Sequence, residues 1–501
     1  MGMFLNSRVS YEGYKEVLRD PYFVDKTLIL KELVPYFGKR NRYCCITRPR
    51  RFGKTVMANM VGAFFGKTDE GERIFEDLAI SKEKEYSAHL NQHDLIYIDF
   101  SKMAKDCREY EMYIYRIQDR IMEDLIAAYP DLGISMTEAV WDGMQKIYER
   151  TKNKFLFVLD EWDAVFHMSF VSEVNQQEYL LFLRNMLKDQ PYVEFAYMTG
   201  VLPIAKYSSG SELNMFVEYD MVTSEKFSEY FGFLDREVQN LLEYYGFMDK
   251  YDAIKKWYDG YLLNGLHIYN PKSVVDVMRR KKIKSYWTGT ETYEALKIYI
   301  DRNFDGLKES IIQMLGNRKF RINTRKFQND MTTFKSKDDV LTLLIHLGYL
   351  AYDEKTEEAY IPNQEITQEF LNVVDEPGWG GVARALNRSE ELLKSTWAMD
   401  GKAVADGIAA IHNEAASVLQ YNNENSLTCT ILMAYYSAKE YYMNPVLEFP
   451  TGKGFADVVY LPKREAEYPA LIVELKWNQS AKGAVWQIKN KEYVSWVQEY
   501  T

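Results

Sequence analysis

The sequence predicts an α/β protein in three parts: a parallel-sheet region over residues 1–222, a mainly helical middle over 223–415, and a smaller α/β region over 416–501. Three observations predict it. Over the first 200 residues, short apolar runs alternate with helical periodicity, the pattern of a parallel sheet covered on both faces. From about Val222 the periodicity becomes mostly helical, broken at Gly260, Gly265 and Asn270-Pro271. Over the last 80 residues, short strands return around a Gly-rich hairpin at 451–454. A length of 501 residues accommodates three domains at about 150 residues each.

Composition narrows the function classes. Hydrophobic residues at 47% and charged residues at 27% are an ordinary globular balance. Thirteen prolines and 27 glycines exclude collagenous or long low-complexity structure, and 39 tyrosines imply large aromatic cores. A net charge of −11 argues against a protein coated with basic groups for nucleic acid. The average hides a reversal: residues 276–339 carry 15 Lys and Arg against 9 Asp and Glu, leaving −17 for the rest. The four cysteines form no CxxC pair, and Cys44 and Cys45 sit in an apolar run, so free buried thiols in a reducing cytoplasm are expected. The start, Met1-Gly2-Met3-Phe4, lacks an export pattern. No run approaches the roughly 20 apolar residues that span a bilayer, so no membrane partner is expected.

Taken in order, residues 42–47 (RYCCIT) read as a buried strand and 56–65 as a helix. Between them, 48–55 (RPRRFGKT) stand where a Walker A phosphate loop belongs, after a strand and before a helix. Backbone amides and the helix dipole favour phosphate there. Gly53 permits close backbone approach, Lys54 would reach the β and γ phosphates of ATP, and Thr55 would hold Mg²⁺. Arg48 replaces the usual first glycine and Pro49 stiffens the loop. Arg48, Arg50 and Arg51, with Phe52 between them and Gly53, are read as adding charge toward the phosphates or as facing a partner.

Residues 94–100 (DLIYIDF) are strand-like, and 109–129 and 137–150 helical. Then 155–161 (FLFVLDE) reads as a Walker B strand, apolar because it is buried on both faces. Asp160 would position the Mg²⁺ hydration shell and Glu161 would activate the attacking water. P-loop NTPases with an Asp-Glu pair at this position insert a further strand between the two motif strands. Residues 193–198 would be that strand, which places Thr199 as a γ-phosphate sensor or as an ordinary strand-end hydroxyl. No arginine finger is assigned, since Arg116, Arg120 and Arg184 read as solvated helix faces, and a neighbouring subunit of a homo-oligomer could supply one.

In the middle region, 340–362 read as a helix, a Gly turn and a strand hairpin, like the wing end of a winged-helix unit. The stretch 279–284 (RRKKIK), with Lys319, Arg321, Arg325 and Lys326, reads as a phosphate-tracking groove for DNA or RNA or as a solvated helix face. Helices are expected at 427–442 and 484–499, and strands at 447–449, 456–461 and 470–476. Asp457 lies on one strand, and Glu474 and Lys476 share a face of the next. Two acids from adjacent strands can hold Mg²⁺, or Mn²⁺ in its place, and activate water for phosphodiester cleavage, with Lys476 positioning it. Glu424 is a further candidate acid and Gln487 a helix residue facing the same site. This D-x(16)-E-x-K string resembles the PD-(D/E)xK nuclease superfamily, a restriction-endonuclease-like α/β core. Such a core has one more strand after the helix that ends near Glu499, so the chain reads as one strand short.

The whole pattern resembles the bacterial AAA-ATPase-like proteins with a C-terminal PD-(D/E)xK domain. The matching residues are 23–27 (FVDKT), 48–55, 257–261 (WYDGY), 268–271 (IYNP), 347–350 (LGYL), Gly454, Asp457, 474–476 and Gln487. That resemblance implies ATP binding at the altered loop and a metal-dependent nuclease, with defence or mobile-element control as the setting. The alternative is a nucleotide-dependent switch or scaffold whose nuclease-like domain is inactive.

Overall fold

The computed structural model describes residues 2–498 apart from 69–72, 104, 106, 205–211, 224–225, 288–305, 328–335, 375–379, 416–423, 452–453, 465–466, 477–479 and 492. The chain forms two compact units. One comprises Met1–Ile283, Thr324–Phe334 and Thr342–Glu354, the other Lys284–Asn323, Lys335–Leu341 and Lys355–Thr501. The stretch 223–415 contributes to both.

The first unit is built on a five-stranded parallel sheet of β1 (Tyr43–Thr47), β2 (Asp94–Asp99), β3 (Phe155–Asp160), β4 (Val193–Gly200) and β5 (Val217–Tyr219), in the order β2-β3-β4-β1-β5. The expected strand therefore does stand between the two motif strands: β4 pairs with β1 (Ile46 opposite Thr199) and with β3 (Leu159 opposite Met198). Alternation along the strands divides the core. Cys45, Ile96, Phe157, Leu159 and Met198 join one apolar cluster with the helices Tyr110–Ala128, Val140–Thr151 and Glu173–Leu187. Cys44, Ile46, Tyr97, Val158 and Tyr197 join a second, with the helices Arg8–Leu18 and Lys54–Phe65. Burial on both faces is why these strands read as continuous apolar runs.

Gly200 closes β4 where Trp162 packs against it. A Cβ there would lie 2.5 Å from Trp162 Cδ1 and 2.7 Å from Asp163 Oδ1. Gly200→Ala is therefore expected to cost about 1–3 kcal/mol by overpacking. Urea unfolding checks it, and a midpoint equal to wild type would refute this packing argument.

The same unit carries a small antiparallel sheet of β6 (Phe233–Leu234), β7 (Tyr261–Leu263) and β8 (Leu266–Tyr269), with β8 central. The IYNP motif explains itself here. Asn270 caps the helix Pro271–Arg280, its side chain accepting from Lys272 N at 2.9 Å and Ser273 N at 3.3 Å, with Pro271 at the first helical position.

In the second unit, β9 (Phe320–Arg321) pairs antiparallel with β11 (Glu358–Tyr360), while β10 (Ala351–Asp353) belongs to the first unit beside β7. Its C-terminal part is an antiparallel sheet of β12 (Val446–Pro450), β13 (Phe455–Tyr460) and β14 (Leu471–Val473), in that order. Three sequence expectations change here, the first being the helix expected over 427–442, which runs over Glu424–Ala434 and is followed by a separate 3₁₀ turn, Tyr436–Glu440. The strand expected over 470–476 stops at Val473, and the helix expected over 484–499 divides into Ala481–Asn490 and Tyr493–Gln498. The break lets Tyr493 turn inward, fully buried, with its hydroxyl on Phe455 O at 2.8 Å. Among the described residues, no helix is long and apolar enough to cross a membrane.

Candidate functional site

The loop after β1 is shaped by its backbone. Arg51 (φ 71°) and Gly53 (φ 89°) both take the left-handed conformation, and the helix Lys54–Phe65 starts directly behind Gly53. No atom lies within 4 Å of where a Gly53 Cβ would stand, so its backbone faces open space at the helix N-terminus. Such an end presents free N–H groups and the positive pole of the dipole. Phe52 anchors the loop: it is buried, meets Tyr261 edge-on at 5.2 Å, and its carbonyl accepts Gly232 N at 3.2 Å. Tyr261 in turn donates to Gly348 O at 2.6 Å, which ties the WYDGY and LGYL motifs to the loop.

The basic residues of the loop part company. Arg50 is exposed and Arg51 half-buried. Arg48 is fully buried, and its Nη1 donates to the carbonyls of Thr47 (2.8 Å), Tyr219 (2.9 Å) and Asp220 (3.0 Å). The guanidinium also lies 5.3 Å from the Phe231 ring centre. Burial pulls its pKa down to about 10, against the charge of Asp220, so it stays a cation at neutral pH. Arg48 thus pins the end of β1 to the chain leaving β5.

Lys54 is buried, with Nζ 3.3 Å from Pro49 O and 3.7 Å from Glu161 Oε1. Thr55 is exposed, and its hydroxyl lies beside the Asp160 carboxylate. Thr199 Oγ1 donates to Asp160 Oδ1, and Glu161 N points at the same hydroxyl from 3.4 Å. Lys54, Thr55, Asp160, Glu161 and Thr199 therefore converge at the C-terminal edge of three adjacent strands. Thr55 and Asp160 supply the hard oxygens a Mg²⁺ ion takes. Glu161 itself is left-handed (φ 50°, ψ 46°), a conformation that costs a non-glycine residue about 1–3 kcal/mol. Burial raises the pKa of both carboxyls. Thr199, Thr55 and Lys54 oppose the rise at Asp160, and Lys54 opposes it at Glu161.

Two acids at this edge escaped the sequence reading. Asp99 ends β2 directly opposite Asp160, and its charge raises both Asp160 and Glu161. Asp163 is buried, and its Oδ2 accepts Val201 N (3.0 Å) and Leu202 N (2.9 Å), which fixes the chain leaving β4. The signal for Asp99 was present, since DLIYID ends in acid just as FLFVLD does.

A cavity of about 380 Å³ adjoins the loop. Phe52, Gly53, Tyr22, Phe23, Tyr230 and Phe233 are among its walls.

Residues 9–209 match the predicted AAA-ATPase family. The match covers the loop, the acid pair and Thr199. A protein of Azotobacter chroococcum mcd 1, titled "Uncharacterized protein in vnfD 5'region", is 25% identical over 286 residues, 55% of this chain and 52% of that relative. The chain thus spans about half the length of the curated relative it matches.

Outside the AAA-ATPase-like region, the structure also brings together the carboxylates near the C-terminus. β13 and β14 pair with Val458 opposite Val473, and one further step of that register sets Asp457 opposite Glu474. Asp457 Oδ2 accepts Leu475 N at 2.6 Å. Glu474 Oε1 takes Lys476 Nζ at 2.8 Å and the Gln487 amide, which also reaches Tyr493 OH at 3.0 Å. Glu474 Oε2 is buried with no hydrogen-bond partner among the described residues. Burial raises the Glu474 pKa, Lys476 opposes the rise and Asp457 adds to it. A buried carboxylate oxygen without a partner is costly unless a cation meets it, so the donor set fits a divalent ion. Among the described residues, no group of three or more His, Cys, Asp or Glu side chains forms a metal cage. Glu424 begins the helix Glu424–Ala434, and its side chain lies outside the described residues.

The basic stretch of the middle region is largely committed to neighbours. Arg279 pairs with Asp20, Lys281 lies over Phe247, Lys319 over Tyr360, and Arg321 pairs with Glu357.

Proposed function

We propose that the chain binds and hydrolyses ATP and that this activity controls a metal-dependent nuclease formed by residues 416–501, with the middle region 223–415 between them. For the nucleotide, the convergence of Lys54, Thr55, Asp160, Glu161 and Thr199 in front of the Gly53 helix end supports the reading. Gly53 and Lys54 take the phosphates, Thr55 and Asp160 hold Mg²⁺, and Glu161 orients water for in-line attack. The aromatic cavity beside Gly53 takes the base and sugar. Arg48 acts beneath the loop as a strut, and Arg50 and Arg51 add charge toward the phosphates or face a second copy of the chain. The family match over residues 9–209 agrees with this half of the proposal.

The nuclease half rests on one observation, the buried Glu474 Oε2 beside Asp457, Lys476 and Gln487. Asp457 and Glu474 would hold Mg²⁺ or Mn²⁺ with Lys476 and Gln487 beside them, and such an ion would supply polarisation of the scissile phosphate and a more acidic water.

Lys54→Ala tests the nucleotide site. ATP at 100 times its Kd should stabilise the wild type by about 2.7 kcal/mol, and the variant should lose this rise in melting temperature. An equal rise in the variant would reject Lys54 as a phosphate ligand. A wild type that gains stability from ATP but shows no Mn²⁺-dependent cleavage would favour the switch reading.

A further inference from the structure

The rim of the carboxylate site carries two features that hydrolysis does not use. Lys491 caps the helix Ala481–Asn490, its backbone N–H on Gln487 O at 3.0 Å. Its ammonium lies over Gly454, 2.8 Å from where a Gly454 Cβ would stand. Among the described residues this ammonium makes no hydrogen bond or ion pair, although its charge reaches Glu474. Lys476, by contrast, is engaged with Glu474 at 2.8 Å. The residue after Gly454 is Phe455, whose side chain is 62% exposed. Asp457 stands two residues along the same strand and so on the same face. The Phe455 carbonyl is tied to Glu474 through Tyr493 and Gln487.

An unengaged cation and an open aromatic ring on a fixed rim match the two halves of an unpaired nucleotide. The phosphate needs a cation, and the base needs a flat π surface. A paired base is already stacked within its duplex and cannot offer its face without unstacking. We propose that Gly454, Phe455 and Lys491 seat an unpaired nucleotide, Phe455 stacking its base and Lys491 holding its phosphate, so that the polymer acted on is single-stranded. This rests on the nuclease reading above and gives it a substrate class.

The test uses the full chain with labelled oligo-dT, oligo-rU and a blunt hairpin duplex in EDTA, where metal-dependent cleavage is silent. Phe455→Ala should weaken binding to the single strands about 5- to 150-fold and change duplex binding less than twofold, while Phe455→Trp keeps the affinity. Lys491→Gln should reduce the slope of log affinity against log salt by about 0.7 on single strands. The dT and rU arms distinguish DNA from RNA. The seat is overturned if Phe455→Ala leaves oligonucleotide binding intact, weakens duplex equally, or changes only the oligomeric state. A wild type that never cleaves with Mn²⁺ but shows the Phe455 and Lys491 effects keeps the seat and removes the nuclease reading.

Discussion

Glu161→Gln should leave ATP bound and slow its hydrolysis by about 10²- to 10⁴-fold, the span that a positioned general base contributes. Binding survives because Lys54, Thr55 and the Gly53 backbone are untouched. Turnover falls because an amide cannot take the proton of the attacking water. Single-turnover hydrolysis beside nucleotide binding separates the two, and normal hydrolysis by the variant would remove Glu161 from the role. The pH profile carries the same signature. Burial raises the Glu161 pKa, Lys54 opposes the rise, and Asp163, Asp160 and Asp99 add to it. Only the ionised carboxylate acts as base, so the acid limb of kcat should fall at a pH above the ordinary glutamate range. Asp99→Asn removes one of those negative charges and should move that limb to lower pH.

Glu474→Ala carries the second large effect. On the nuclease reading a divalent ion would contribute several kcal/mol to stabilising the transition state, so losing a ligand should cost cleavage about a thousandfold. The stability readout is independent of turnover. Mn²⁺ should raise the melting temperature of the wild type by binding the folded state. In Glu474→Ala that rise should vanish, and Glu474→Gln, which keeps the shape, should lose it too. Cleavage or Mn²⁺ stabilisation that persists in both variants would place the metal elsewhere.

How much of this was legible depends on what a sequence encodes. Four strands of the sheet were, because burial on both faces leaves unbroken apolar runs, and the position of β4 followed from the Asp-Glu ending of β3, whereas the three-residue edge strand β5 (VEY) carries no such run and was not read. The direction of Arg48 was not, since residue type gives charge and the three carbonyls that receive it come from distant positions in the chain. Asp99 is less marked because Phe100 follows it, where Glu161 follows Asp160. Asp457 and Glu474 were expected on adjacent strands, but β14 stops at Val473, so Glu474 lies one residue past the paired register. The helix break at Lys491 stayed hidden because residues 484–499 keep helical periodicity across it. The turn is set by Tyr493 reaching the Phe455 carbonyl, a contact with no local signature.

The insertion of β4 has a consequence for scale. Neighbouring strands stand about 4.8 Å apart, so one intervening strand sets the ends of β1 and β3 roughly 10 Å apart. The sheet therefore works as a gauge. The span between the ends of β1 and β3 is fixed by backbone hydrogen bonds, and Lys54 and Glu161 close it with their side chains, meeting at 3.7 Å. On the ATPase reading, a terminal phosphoryl group entering between these strand ends would have to part the Lys54–Glu161 ion pair and take the lysine for itself.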